Sequence, residues 1–142
     1  MLNFVLSNLK QNIMFTVKQI KEAHAKVKSG AEFPSYIQEI KSFGVVGFET
    51  WVFDSHTNYW GKDNFETSSE AVYDALVIED ECTPSIFAED LKAHQAGKTD
   101  YFQFCKDCAK SGIEKWIVSL EDMTCIYYDK KGNQILVETI PS

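Results

Sequence analysis

The feature of this chain that most limits its fold is that it nearly repeats itself. The stretch SYIQEIKSFGVVGFETWV (residues 35–52) lies over DYFQFCKDCAKSGIEKWI (residues 100–117) at an offset of 65 positions, without a gap, and six of eighteen pairs are identical. The identities are Tyr36/Tyr101, Gln38/Gln103, Lys41/Lys106, Gly47/Gly112, Glu49/Glu114 and Trp51/Trp116. Similarity at a fixed period reports architecture before it reports chemistry. It predicts two copies of one α+β unit facing each other across a shared core. One copy alone would expose a face of its sheet and helices, and two together bury both. The repeat also lets any residue suspected of chemistry be checked against its counterpart.

Local signals supply the element order. Thr16 followed by Gln19 is a capping box, so a helix is expected from Val17 to Ser29 with Ile20, Ala23, His24 and Val27 on one face. Pro34 opens a second helix through Phe43, and Gly44 ends it. Val45 to Phe53 reads as a strand rich in β-branched and aromatic residues. Asp54 to Asn58 is a turn, Tyr59-Trp60 begins the returning strand, and Ala71 to Ile78 is read as a third strand. Thr83-Pro84 starts the second half with a helix to Ala96, and Asp100 caps another that ends at Gly112. Strands follow at 114–120, 124–128 and 134–140, the last two joined by the tight turn Lys131-Gly132-Asn133. The expected fold is therefore α+β, two pseudo-repeated helix-helix-β-β-β halves with an antiparallel sheet sharing one core. No linker rich in Pro, Gly or Ser divides the halves, so residues 14–142 are read as a single domain. Residues 1–13 are read as an N-terminal extension. They form either a short helix with Leu2, Leu6, Leu9 and Ile13 on one face or an addition upstream of an original start at Met14.

Charge narrows the function classes. The 142 residues carry 21 acidic and 14 basic side chains, a net charge of −7, and none of the basic ones is arginine. Nucleic-acid binding draws on a basic stripe that releases counterions from phosphate, which argues against that class here. The N-terminal stretch has no continuous apolar run of the signal-peptide kind, and nothing approaches the roughly 20 apolar residues of a membrane span. A cytoplasmic protein without a membrane segment is expected, with Cys82, Cys105, Cys108 and Cys125 as reduced thiols.

Cys105 and Cys108 have the spacing of a metal knuckle or redox pair. No second pair matches them, and under the 65-residue offset they fall on the core residues Ile40 and Phe43, so they read as small buried hydrophobes and only weak metal candidates. His24 and His94 each follow alanine on the apolar side of the first helix of their half. As pseudo-symmetric partners they are candidates for a ligand or pocket site, with Glu49 and Glu114 as a matched carboxylate pair. Asp54, Ser55 and His56 are neighbours in one turn, and a triad is recognised by geometry rather than adjacency. Tyr59, Trp60 and Tyr127 lack a matched aromatic in the repeat and are the candidate binding face. No phosphate loop, dinucleotide fingerprint, nucleophile elbow or zinc helix is present, and no cofactor is expected.

Several longer runs carry a family resemblance. They are Phe15-Thr-Val-Lys-Gln-Ile-Lys-Glu-Ala-His24, Leu91-Lys-Ala-His94-Gln-Ala-Gly97-Lys-Thr-Asp100-Tyr101, Phe104-Cys105, Gly112-Ile-Glu114-Lys-Trp116 and Met123-Thr-Cys125-Ile-Tyr-Tyr-Asp129. Over Met14 to Pro141 the chain resembles the YdfO-like family of small bacterial and prophage proteins, some of which carry a phage envelope protein label. The resemblance implies an α+β domain of unknown function and carries over no catalytic residue. His56 stands where the family pattern favours glycine, which weakens a catalytic role for it. The leading expectation is a non-enzymatic interaction or regulatory protein, with a protein partner or a second copy of itself. The alternative is a small-ligand or metal-binding protein, or an enzyme, with its site between the halves.

Overall fold

A computed structural model describes residues 13–28 and 30–142. The helices are α1 (Val17–His24), α2 (Phe33–Ser42), α3 (Pro84–Gln95) and α4 (Tyr101–Lys110). The strands are β1 (Val45–Trp51), β2 (Thr57–Gly61), β3 (Glu66–Ser68), β4 (Ile113–Ser119), β5 (Thr124–Asp129) and β6 (Gln134–Thr139). They form one antiparallel sheet in the order β3-β2-β1-β4-β5-β6, so each half contributes three adjacent strands and the halves meet where β1 pairs with β4. The expected fold is the observed one, two helix-helix-strand-strand-strand halves on a common sheet.

The capping box forms as read: the Thr16 hydroxyl accepts from the Gln19 amide, and the Gln19 side chain accepts from the Thr16 amide. Asp100 caps α4 by accepting from the Gln103 amide at 2.8 Å. Thr83 stands at the N-cap of α3 without a side-chain bond. Two elements differ from expectation. Helix α1 stops at His24, well short of Ser29, and a 3-10 turn over Gly30–Glu32 leads into α2. The stretch Ala71–Ile78 is not a strand. The third strand of the first half is β3, and residues 69–83 form an irregular strap across the end of the sheet. Its backbone is satisfied by the body of the fold rather than by a neighbouring strand: Leu76 donates to the Phe53 carbonyl, Glu79 to Ala109 and Thr83 to Ser111. The apolar run read as a strand is the strap's inward face, where Ile78 is buried and Tyr73 donates to the Val52 carbonyl at 2.5 Å. The proposed helix over residues 2–13 lies outside the described residues, except that Ile13 is exposed and not helical.

The repeat is real, but its offset is 68 residues rather than 65. At 68, α2 superposes on α4 and β1 on β4 end to end. Gly44 (φ 105°) meets Gly112 (φ 78°), and Ser55 (φ 63°) meets Met123 (φ 53°). The register irregularity at Val45/Gly47 meets the one at Ile113/Lys115. The amide of Val52 donates to Glu114 and that of Leu120 to Val46, both at 2.9 Å, and the 68-residue operation exchanges these two bonds. Side chains alternate across a strand with period two, so an odd offset such as 65 sends every counterpart to the opposite face. The core obeys the even offset: Tyr36/Phe104, Ile37/Cys105, Ile40/Cys108, Phe48/Trp116, Val52/Leu120 and Tyr59/Tyr127 are all buried. The sequence match at 65 holds more identities, but it pairs the half-buried Trp51 with the buried Trp116.

The helices cover one face of the sheet. Helix α2 lies against β1, α4 against β4, and α3 against β6. Phe48, Thr50, Tyr59, Trp116, Val118, Cys125 and Tyr127 point into this covered side, with Phe87, Leu91 and Phe104 above them. No described helix packs on the other face.

Candidate functional site

The uncovered face is assembled by strand alternation. Thr50 pairs with the buried Trp116 and shares its face, so the odd-numbered residues of β1, namely Gly47, Glu49 and Trp51, point the other way. Across the register the same face receives Asn58 and Trp60 from β2, Lys115 and Ile117 from β4, Ile126 and Tyr128 from β5, and Val137 from β6. Sheets of this type leave one side to solvent and place polar residues there. Here the middle of the side is aromatic and branched, and Ser68, Ser119, Thr124, Gln134 and Thr139 lie around it.

Its centre is a fixed polar cluster. The Lys115 ammonium donates to Glu49 Oε2 at 2.9 Å. Glu49 Oε1 accepts from the Trp51 indole at 3.1 Å and from the Asn58 amide at 3.4 Å. Asn58 in turn accepts from Ser68 at 2.7 Å. The ammonium also lies 4.6 Å from the Trp51 ring centre and 5.7 Å from that of Tyr128, so two aromatic faces stabilise its charge. With side-chain exposures of 24% and 19%, Lys115 and Glu49 are well shielded, and the pair is internally neutral. Trp60 lies flat over Gly47, where a Cβ would come within 2.7 Å of the indole ring. Glycine at that position lets the ring close against the backbone.

At the end of β1 the turn adds one more group. His56 Nδ1 is 2.6 Å from Asp54 Oδ1, which also accepts the His56 amide at 2.9 Å. The imidazole lies parallel to the Trp51 ring, 6.1 Å between centres. Ser55 is turned away from this dyad by its left-handed backbone and shares a 2.6 Å hydrogen bond with the Tyr101 hydroxyl. Adjacent in sequence, the three residues do not converge on one reacting atom.

Trp60 lies on the uncovered face, whereas Tyr59 and Tyr127 do not, because each is an odd step from its half's outward residues and is buried on the helix side. They are counterparts at the 68-residue offset, and the Tyr127 hydroxyl donates to Glu138 at 3.2 Å. His24 and His94 each meet a ring on the second helix of their half but are not counterparts at the 68-residue offset: His24 meets Tyr36 edge-on at 5.1 Å, and His94 stacks on Phe104 at 4.5 Å. Each serves its own half, and the sheet separates both from Glu49 on the opposite face. Burial lowers the His24 pKa, and His94 Nδ1 is held 3.1 Å from the Thr99 carbonyl. Glu114 sits at the register irregularity beginning β4, near Lys130. Glu49 and Glu114 are not counterparts, and the four residues do not form a pocket between the halves.

Cys105 and Cys108 are both fully buried on α4. Burial raises both thiol pKa values. Among the described residues no three His, Cys, Asp or Glu side chains gather where they could hold a metal. None of the described helices is long and apolar enough to cross a membrane.

The residues missed in the sequence were Lys115, Tyr128, Ile117, Ile126 and Val137. Alternation along β4 and β5, read outward from the buried positions, carries the signal for them.

A family model described as "Protein of unknown function (DUF1398)" matches residues 21–139, from within α1 to the last residue of β6. The chain belongs to the DUF1398 family. The match spans both halves, so the pseudo-repeated sheet with its uncovered face lies within what the family model covers. A search of curated proteins found no match.

Proposed function

We propose that this DUF1398 member is a non-enzymatic interaction protein that docks a partner protein on the uncovered face of its sheet. The observation that carries the reading is the composition of that face. Trp51, Trp60, Ile117, Ile126, Tyr128 and Val137 surround one charge pair that neutralises itself. Contiguous apolar surface of this kind marks interaction sites, and Trp and Tyr are the side chains that supply interface energy. The chain carries −7 overall, so the fitting partner presents an apolar patch with a basic rim. The test is site-specific photo-crosslinking in the source cell. A photoreactive residue at Val137 or Ile126 should trap one discrete partner, and Trp60→Ala should abolish the product. The same product from a probe at Ile86, which is exposed on α3, would count against the face.

The resemblance to YdfO-like proteins supports a bacterial, prophage-related origin, and the acidic composition fits a cytoplasmic setting. Cell fractionation tests the second point.

One observation favours a second reading, a small-ligand-binding protein or enzyme. Asp54 fixes His56 through Nδ1, which leaves Nε2 as the free proton-accepting atom at the edge of the uncovered face. Native mass spectrometry beside the denatured mass distinguishes the readings. A retained small molecule supports a ligand site, and a bare protein removes it.

A further inference from the structure

The two edges of the sheet are built differently, although the repeat relates them. Strand β3 starts at Glu66 and β6 at Gln134, the 68-residue offset again. β3 ends after three residues at Ser68, whereas β6 continues three further, to Thr139. The β3 edge is also blunted. The chain reaches it through the left-handed Asp63 and Asn64, Glu66 stands exposed on it, and the Ser69 amide turns back to the Thr57 carbonyl at 2.9 Å.

The β6 edge has no left-handed approach and no exposed charge, and its one irregularity is the register shift beside Ile135. It contains no proline, lysine or arginine, and its centre is Ile135-Leu136-Val137, with Val137 55% exposed. Among the described residues no strand pairs with its outer side. Alternate residues of an antiparallel edge strand direct their N–H and C=O groups outward, which makes the edge a template for another strand. The chain after it is pinned by the Ile140 amide, which donates to Met123 at 2.8 Å, so β6 is held extended.

We propose that β6 pairs antiparallel with β6 of a second copy of this chain, joining two six-stranded sheets into one of twelve strands. Three observations select a second copy. An antiparallel β6 pair is its own mirror under a twofold axis perpendicular to the sheet, so both copies offer the same surface. The assembly closes at two, because the short, blunted β3 edge cannot continue it. The charges also permit it despite −7 per chain: the only charged residue of β6 is Glu138, which the Tyr127 hydroxyl and the Gln95 amide hold on the helix side.

Beside Ile135 the register with β5 shifts, so Gln134 shares the face of Tyr128 while Glu138 stays on the helix side. The regular part of the edge, and so the pairing segment, is Leu136 to Thr139. An antiparallel pair there places the two uncovered faces side by side on one continuous surface. The inference does not rest on the docking reading and stands if that reading fails.

Sedimentation velocity over a wide concentration range tests it on the full chain. A reversible species of twice the 16.2 kDa monomer is expected. Val137→Asp, which sets carboxylates on both edges, should return it to monomer with an unchanged circular dichroism spectrum. Hydrogen exchange should show β6 amides protected in the dimer and released in the variant. A wild type that is monomeric at all concentrations overturns the proposal. A dimer that survives Val137→Asp but is lost in Ile126→Asp also overturns it, because that dimer would be face to face.

Discussion

Glu49 and Ile117 stand opposite each other in the register between β1 and β4, and each is the other's counterpart under the 68-residue repeat. The pseudo-twofold axis of the domain therefore passes between them, perpendicular to the sheet, at the centre of the uncovered face. At that shared position one half supplies a carboxylate and the other an isoleucine. The face is symmetric in backbone and asymmetric in chemistry, and the ion pair of Glu49 with Lys115 occupies the middle.

That pair should behave as a unit. Removing one partner leaves the other shielded and unpaired, a cost between that of an exposed pair and that of a buried one. Glu49→Ala and Lys115→Ala are each expected to lower stability by about 1–2 kcal/mol. The double variant should cost clearly less than their sum, in a chemical-denaturation double-mutant cycle. Strict additivity would show that the contact contributes nothing.

Gly112 and Gly97 have the same left-handed φ of 78° but different surroundings. A Cβ on Gly112 would meet the Glu81 carbonyl oxygen at 2.5 Å, whereas one on Gly97 meets nothing within 4 Å. Gly97→Ala should cost about 1–2 kcal/mol, the penalty for the backbone conformation alone. Gly112→Ala should cost measurably more, since the strap must also move. Equal losses in thermal unfolding would mean that the strap is loosely held.

The four thiols should separate by accessibility. Cys105, Cys108 and Cys125 are buried, and burial pushes the Cys125 thiol up to about 12, whereas Cys82 is half-buried. Thiolate is the reactive form. Iodoacetamide at pH 8 should therefore label Cys82 first in the native protein, and the other three only on unfolding, as read by peptide mass spectrometry. Early labelling of Cys105 or Cys108 would show an opening of α4 that the packing does not contain.

Burial holds the His24 pKa below its ordinary 6.5. Below that pH the unfolded chain takes up a proton that the native imidazole resists. The contribution of His24 is thus complete above about pH 6.5 and is lost as pH falls through the depressed native value. The melting temperature should fall on acidification from pH 7 to 5, less steeply in His24→Gln. Parallel profiles would remove His24 from the acid response.

Much of the fold was legible because its signals are local. Thr16 with Gln19, Asp100, Pro34, Gly44 and Gly112 mark helix ends through capping and backbone conformation, which neighbours in sequence decide. Ala71 to Ile78, within the strap, reads as a strand because an apolar run looks alike as a strand and as a segment packed across a sheet end. Of the candidate site, only Trp60 and Glu49 are legible in the sequence. Tyr59 and Tyr127 carried the same aromatic signal, but facing is set by strand parity, and the 65-residue match had the wrong parity.

By itself the sequence determined that there are two similar halves, where most of their helices and strands begin and end, and that the chain is acidic. Those properties depend on local backbone preference and composition, which short stretches of chain carry. Only the tertiary structure decided the 68-residue offset, the face on which each aromatic lies, the separation of His24 and His94 from Glu49, and the Glu49–Lys115 pair at the centre. Each of these depends on which strand pairs with which and in what register. Cross-strand hydrogen bonds and core packing fix that choice between residues far apart in the chain.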